Sequence, residues 1–99
     1  MRIVPKTFEL LGHTITVTIR KDLYDECDCY GRWTRGKHLI ELQEVNKDVT
    51  KSFQMQTFWH EVAHAILENI GEDKQSEDEK YVDLWGQCIH QVLKSKRNT

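Results

Sequence analysis

Five apolar residues, Met55, Trp59, Val62, Ile66 and Ile70, follow one another at spacings of four, three, four and four. An α-helix brings such a series onto one face, so the middle of this chain is committed to a helix. Asp48 and Thr50 are its N-cap candidates and Gly71 its C′ residue, which predicts a helix over 48–70. Upstream the period is two. Ile15, Val17 and Ile19 alternate with Thr14, Thr16 and Thr18, and Gly12 separates this run from residues 7–11. A second pair of extended runs, 29–34 and 37–42, flanks Arg35-Gly36. Residues 1–45 therefore read as two β hairpins forming a small antiparallel sheet of three or four strands. Downstream, Tyr81, Val82, Trp85, Cys88, Ile89, Val92 and Leu93 predict a C-terminal helix over 76–95 that starts at Ser76, and the acidic stretch 72–80 reads as a solvated loop. The fold class is α+β, in a single domain over 1–99.

Ninety-nine residues hold one core, and a core of that size gains from a staple such as a bound metal. Fourteen Lys and Arg against sixteen Asp and Glu give a net charge of −2, which lacks the electrostatic footprint of a nucleic-acid binder. No run is long and apolar enough for a membrane span, and Met1-Arg2-Ile3-Val4-Pro5 leads into polar residues rather than a signal segment. Three cysteines, Cys27, Cys29 and Cys88, then suggest reduced thiols in a cytoplasmic protein, expected here as a monomer. Cys27-Asp28-Cys29 has no second pair with which to complete a four-ligand zinc site.

The central helix carries His60-Glu61-Val62-Ala63-His64, the HExxH pattern. Histidines at i and i+4 lie on one helix face about 6 Å apart, within reach of one zinc ion, and Glu61 is rotated to where it can take a proton from water at that ion. His60, Glu61, His64 and Glu68 share an arc roughly opposite the apolar stripe, and Leu67 beside them implies that this arc is partly covered. A polar surface that happens to hold two histidines is the plainer reading.

Two histidines need a third protein ligand, and no third histidine follows at short spacing. Glu79, Asp83, Gly86 and His90 form one stripe of the last helix, and Gly86 lets that helix lie close to the first. This favours Glu79 as ligand, with Asp83 accepting the free N–H of a ligand histidine. Glu77 and His90 are the alternatives, and Ser76-Glu77-Asp78-Glu79 also reads as a capping box in which Glu79 only serves the Ser76 amide.

The segment Thr57-Phe58-Trp59-His60-Glu61-Val62-Ala63-His64-Ala65-Ile66-Leu67, followed by an acidic stretch and Glu79-Lys80-Tyr81-Val82-Asp83, resembles the ImmA/IrrE-type zinc metallopeptidases, above all their short phage and mobile-element versions. The resemblance covers residues 49–93. It implies a minimal zincin-like domain with zinc on His60, His64 and Glu79, a gluzincin-like set, and Glu61 as general base. It also implies that the last strand of the sheet, residues 37–42, holds an extended peptide by β-addition. The implied partner is a protein or peptide substrate, with a transcriptional regulator such as a repressor as the family's typical target. The chain lacks the helix-turn-helix and sensory regions of the fuller members. Zinc peptidases need a donor for the tetrahedral oxyanion, and His38, Tyr30, Arg32 and Arg35 are equally placed for it. Trp59 and Trp85 read as core. The alternative to hydrolysis is a zinc-stabilised binding module, an antirepressor or inhibitor that acts by occupying its partner.

Overall fold

A computed structural model describes residues 4–96, so Met1-Arg2-Ile3 lies outside the described residues. Strands β1 (Thr7–Leu10) and β2 (His13–Arg20) form the first hairpin. Both residues of its turn have positive φ, Leu11 at 49° and Gly12 at 83°, the combination that matches the twist of a two-residue hairpin. Helix α1 (Leu23–Cys27) leads to β3 (Gly31–Thr34), and a single 3₁₀ turn at Arg35–Lys37 joins β3 to β4 (Leu39–Gln43). Helices α2 (Lys51–Asn69), α3 (Asp73–Glu77) and α4 (Glu79–Ser95) complete the chain.

The sheet has four strands in the order β1-β2-β4-β3. Both hairpins are present, but β4 joins β2 in parallel, so the sheet is mixed rather than wholly antiparallel. The physical reason lies in the two strands of the second hairpin. Four of the five residues of β4 are buried, as befits a central strand, whereas Gly31, Arg32 and Thr34 suit β3 to an edge. On one face, Ile15 and Val17 of β2 and Ile40 and Leu42 of β4 pack against Phe58 and Val62 of α2. On the other, Glu41 accepts from Arg20 at 2.9 Å and Arg32 at 3.0 Å. Burial alone would push its carboxyl up, but these two guanidiniums hold it below the usual range.

Thr50 caps α2 by accepting from the Phe53 amide at 3.0 Å. At the other end Gly71 has φ 83°, its amide reaches Glu68 O, and the Glu72 amide reaches Leu67 O, a Schellman ending. The buried face of α2 is wider than the predicted stripe: Phe58, Val62 and Ala65 lie inside, whereas Ile70 is 53% exposed. Ala63 and Leu67 are buried on a second side, against Val82 of α4.

Three expectations change. The stretch predicted as a loop contains α3. The last helix begins at Glu79 rather than Ser76, because Asp78 is the N-cap and accepts from the Tyr81 amide at 3.1 Å, while Ser76 is buried and engaged elsewhere. Finally, Cys27 and Cys29 are joined in a disulfide instead of standing as reduced thiols: Asp28 between them adopts a left-handed conformation, φ 55°, that turns Cys29 back toward Cys27. Cys88 is free and exposed. No helix among the described residues is long and apolar enough to cross a membrane.

Candidate metal centre

His60 and His64 stand one turn apart on α2 with ring centroids 5.0 Å apart. Glu79, the first residue of α4, faces both. Its Oε2 lies 3.1 Å from Nε2 of His60 and its Oε1 3.3 Å from Nε2 of His64. The three ligand atoms fall within 4.8 Å of one another, and among the described residues this is the group that can hold a metal ion. The donor set, two imidazole nitrogens and one carboxylate oxygen, is the chemistry a divalent ion such as zinc takes, with a coordination position left open. The histidine side chains are 20% and 13% exposed and Glu79 is 69% exposed, so the site opens to solvent on the α4 side.

What brings α4 so near is Gly86. A Cβ there would lie 2.9 Å from the backbone N and Cα of His60, so only glycine allows this crossing. Asp83, one turn beyond Glu79, places Oδ1 3.4 Å from Nδ1 of His60.

His64 is held from its other side. Its Nδ1 lies 2.9 Å from Ser76 Oγ, and the Ser76 hydroxyl donates to Glu68 Oε2 at 2.7 Å. The single hydroxyl proton is thereby used, so the Nδ1–H of His64 must be the donor to Ser76, which leaves Nε2 as the bare nitrogen aimed at Glu79. Glu68 is itself fixed, accepting from the Trp33 indole N–H at 3.1 Å. Burial shifts the His64 imidazole toward its neutral form, the form that binds a metal.

Glu61 lies 7% exposed beside the pair. Burial pushes its carboxyl up to about 7, opposed by His60 and by a hydrogen bond from the main chain of Trp33, and reinforced by Glu79. His60, Glu61, His64, Glu68, Glu79 and Asp83 line one cleft of about 560 Å³ whose other wall is β3.

No protein family, curated protein or solved structure matches this chain. The site therefore stands on its donor geometry.

Of the other candidate ligands, Glu77 ends α3 and lines a neighbouring hollow with Arg35 and Asp73, and His90 lies in a groove with Met55 and Leu93. Neither joins the group of three. The capping-box role for Glu79 is also excluded, since Asp78 supplies the cap. Among the four oxyanion candidates, His38 stacks on His13 at 4.5 Å and lies outside the cleft lining. Arg35 donates to Glu68 O at 3.1 Å and pairs with Asp73, and the Arg32 guanidinium is engaged by Glu41 and Glu26. Tyr30 and Arg32 both line the cleft, and the Tyr30 ring is held between Tyr24 and Phe53.

The strand bordering the cleft is β3, not 37–42: the latter run forms β4, which lies between β2 and β3. Gly31 makes the close approach of β3 possible, since a Cβ there would meet Thr57 Cγ2 at 2.5 Å. Sequence reasoning missed Ser76 and Trp33 as supports of the site. Glu68 shared the histidine arc at i+4 from His64, and that was the signal available.

Proposed function

We propose that this chain is a minimal zinc-dependent peptidase of the ImmA/IrrE type, with zinc held by His60, His64 and Glu79 and Glu61 as general base. The carrying observation is that two Nε2 atoms and the two oxygens of one carboxylate converge at 3.1 and 3.3 Å beside a buried glutamate, in a cleft walled by an edge strand. The resemblance of residues 49–93 to that family supports the same reading.

Zinc, when bound, supplies a Lewis acid that polarises a carbonyl and lowers the pKa of water toward about 7. The remaining work falls to the protein. Edge strand β3 aligns an extended polypeptide across the cleft. Glu61 takes the proton of the attacking water as its oxygen bonds to the peptide carbon, then delivers that proton to the departing amine as the C–N bond breaks. Glu61 lies inside the cleft, 7% exposed beside the two histidines, where both transfers would take place. A repressor or another transcriptional regulator is the target class the family likeness suggests, in a cytoplasmic setting, with the chain acting as a monomer.

The test is metal analysis and cleavage of unstructured polypeptides and repressor proteins by the zinc-loaded chain, beside a Glu61→Gln control. One zinc per chain and hydrolysis that vanishes in the control are expected. One zinc per chain with no cleavage of any substrate would overturn the peptidase reading in favour of a zinc-stabilised binding module.

A further inference from the structure

Two turns before His60 on the same side of α2, Phe53 lines the same cleft and is 39% exposed. Its ring meets Tyr30 edge-on at 5.1 Å, and Tyr30 stacks on Tyr24 of α1 at 4.5 Å. Tyr24 is 40% exposed. None of these rings belongs to the hydrophobic core clusters, so their packing against one another does not serve the interior. Phe53 and Tyr30 form an apolar shelf at one end of a cleft whose other end carries Glu68 and Trp33, and Tyr24 backs Tyr30 from outside the cleft lining. Exposed aromatic surface in a concave site is what a ligand's apolar side chain covers.

The placement of the shelf can be read from the two elements that wall the cleft. In β3, Gly31 lies against Thr57 and Glu61, Trp33 reaches Glu68, and Arg35 just beyond it holds the Glu68 carbonyl, so β3 runs in the same direction as α2. The Gln43 amide donates to Tyr30 O, and the alternation of an antiparallel ladder then turns the main-chain groups of Gly31 and Trp33 away from β4; the Trp33 N–H donates to Glu61, which leaves the groups of Gly31 and the Trp33 carbonyl at the open edge. A segment pairing antiparallel to that edge enters beside Arg35 and leaves beside Phe53. Phe53 precedes His60 by seven residues, about 10 Å along the helix, which is the length of about three residues of extended chain.

We infer that the shelf of Tyr30 and Phe53, backed by Tyr24, is a specificity subsite for a large apolar side chain, carried on an extended polypeptide about three residues C-terminal to the bond held at the His60, His64 and Glu79 centre. This deepens the peptidase reading and rests on it for the position of the bond. Selection against a small side chain at that position, about tenfold or more, is the scale a hydrophobic pocket provides.

The experiment separates binding from cleavage. Zinc-loaded Glu61→Gln protein is titrated with fluorescent short peptides in which Phe, Leu, Ala or Asp is moved along the sequence, and anisotropy reads the affinity. One position should favour Phe and Leu over Ala about tenfold. The preference should fall to about twofold in Glu61→Gln/Phe53→Ala protein that keeps its zinc content and melting temperature. Tyr24→Ala, which removes the ring stacked behind Tyr30, is the second variant should Phe53→Ala not fold, and a partial loss is expected there. A preference unchanged by these substitutions, or no positional preference in any peptide, overturns the subsite. Failure of the peptidase reading shows separately, as absence of cleavage by the Glu61-containing protein while this preference persists. With active protein, the scissile bond should lie about three residues before the favoured position, and any other spacing overturns the assigned register.

Discussion

Ser76 Oγ stands 2.9 Å from Nδ1 of His64 and donates its own hydrogen bond to Glu68. This relation fixes which nitrogen of His64 is bare, and it works through a residue that never faces the cleft centre. Partners of this kind orient a metal-binding imidazole, and their loss usually costs about 10–100-fold in affinity. Ser76→Ala should therefore weaken zinc binding by about that factor in chelator competition, with the fold preserved. Ser76→Thr, which keeps the hydroxyl, should recover most of the loss. Equal affinities for the wild type and Ser76→Ala would assign the contact to packing alone.

Ser76 also shows where reading the sequence stops. Serine at 76 and aspartate at 78 are both good N-caps, and local chemistry alone cannot choose between them. The choice is made by tertiary partners, Glu68 and His64, that claim the serine hydroxyl. The pairing of His60 with His64 and the position of Glu61 were legible because a single helix determines them. Glu79 and Asp83 were legible from their stripe with Gly86, since a side-chain-free position marks a close crossing. Sheet order was not: the hairpins follow from alternation and turn residues, but β4 lying inside and β3 at the edge depends on how the chain crosses after Arg20. The same limit moved the cleft strand from 37–42 to Gly31–Thr34 and hid the Cys27–Cys29 link, which needs Asp28 in a left-handed turn.

Zinc should stabilise this protein strongly. Val82 and Gly86 are the buried residues of α4, so its docking on α2 has a thin apolar base. A metal shared by His60 and His64 on one helix and Glu79 on the other joins them directly. Zinc at a thousandfold excess over its dissociation constant contributes about 4 kcal/mol, and each kcal/mol moves the midpoint of a domain this size by about 4–8 °C. Scanning calorimetry with and without a chelator should show a midpoint drop of at least about 15 °C. Unchanged midpoints in a protein shown to bind one zinc would exclude a joining role.

In the metal-free protein, Glu61 should make stability depend on pH. Its carboxyl is raised by burial from an ordinary 4.5 to about 7, so its folded value exceeds its unfolded one. The neutral carboxyl is tolerated at low pH, and that tolerance is lost as pH rises from about 5 through about 7. Glu61→Gln keeps an acceptor for the Trp33 main chain but cannot ionise. Chelated Glu61→Gln should therefore outlast chelated wild type above pH 7, by on the order of 3 kcal/mol in denaturant titrations, and match it near pH 5. Parallel curves for the two proteins would mean that water reaches Glu61 in solution.

Gly86→Ala sets two effects against each other. Alanine is the better helix former by about 1 kcal/mol, and at an open helical position it would stabilise α4. Here its Cβ would stand 2.9 Å from the N and Cα of His60 and 3.2 Å from the carbonyl carbon of Trp59, all backbone atoms that cannot swing aside. Relief requires α4 to move off α2, and α4 carries both Glu79 and Asp83. Overpacking of this kind costs about 1–3 kcal/mol, which exceeds the propensity gain over most of that range. A lower melting temperature should therefore appear together with weaker zinc binding, because the displacement separates Glu79 from both Nε2 atoms. Stabilisation without loss of zinc affinity would mean that the helices do not cross this closely.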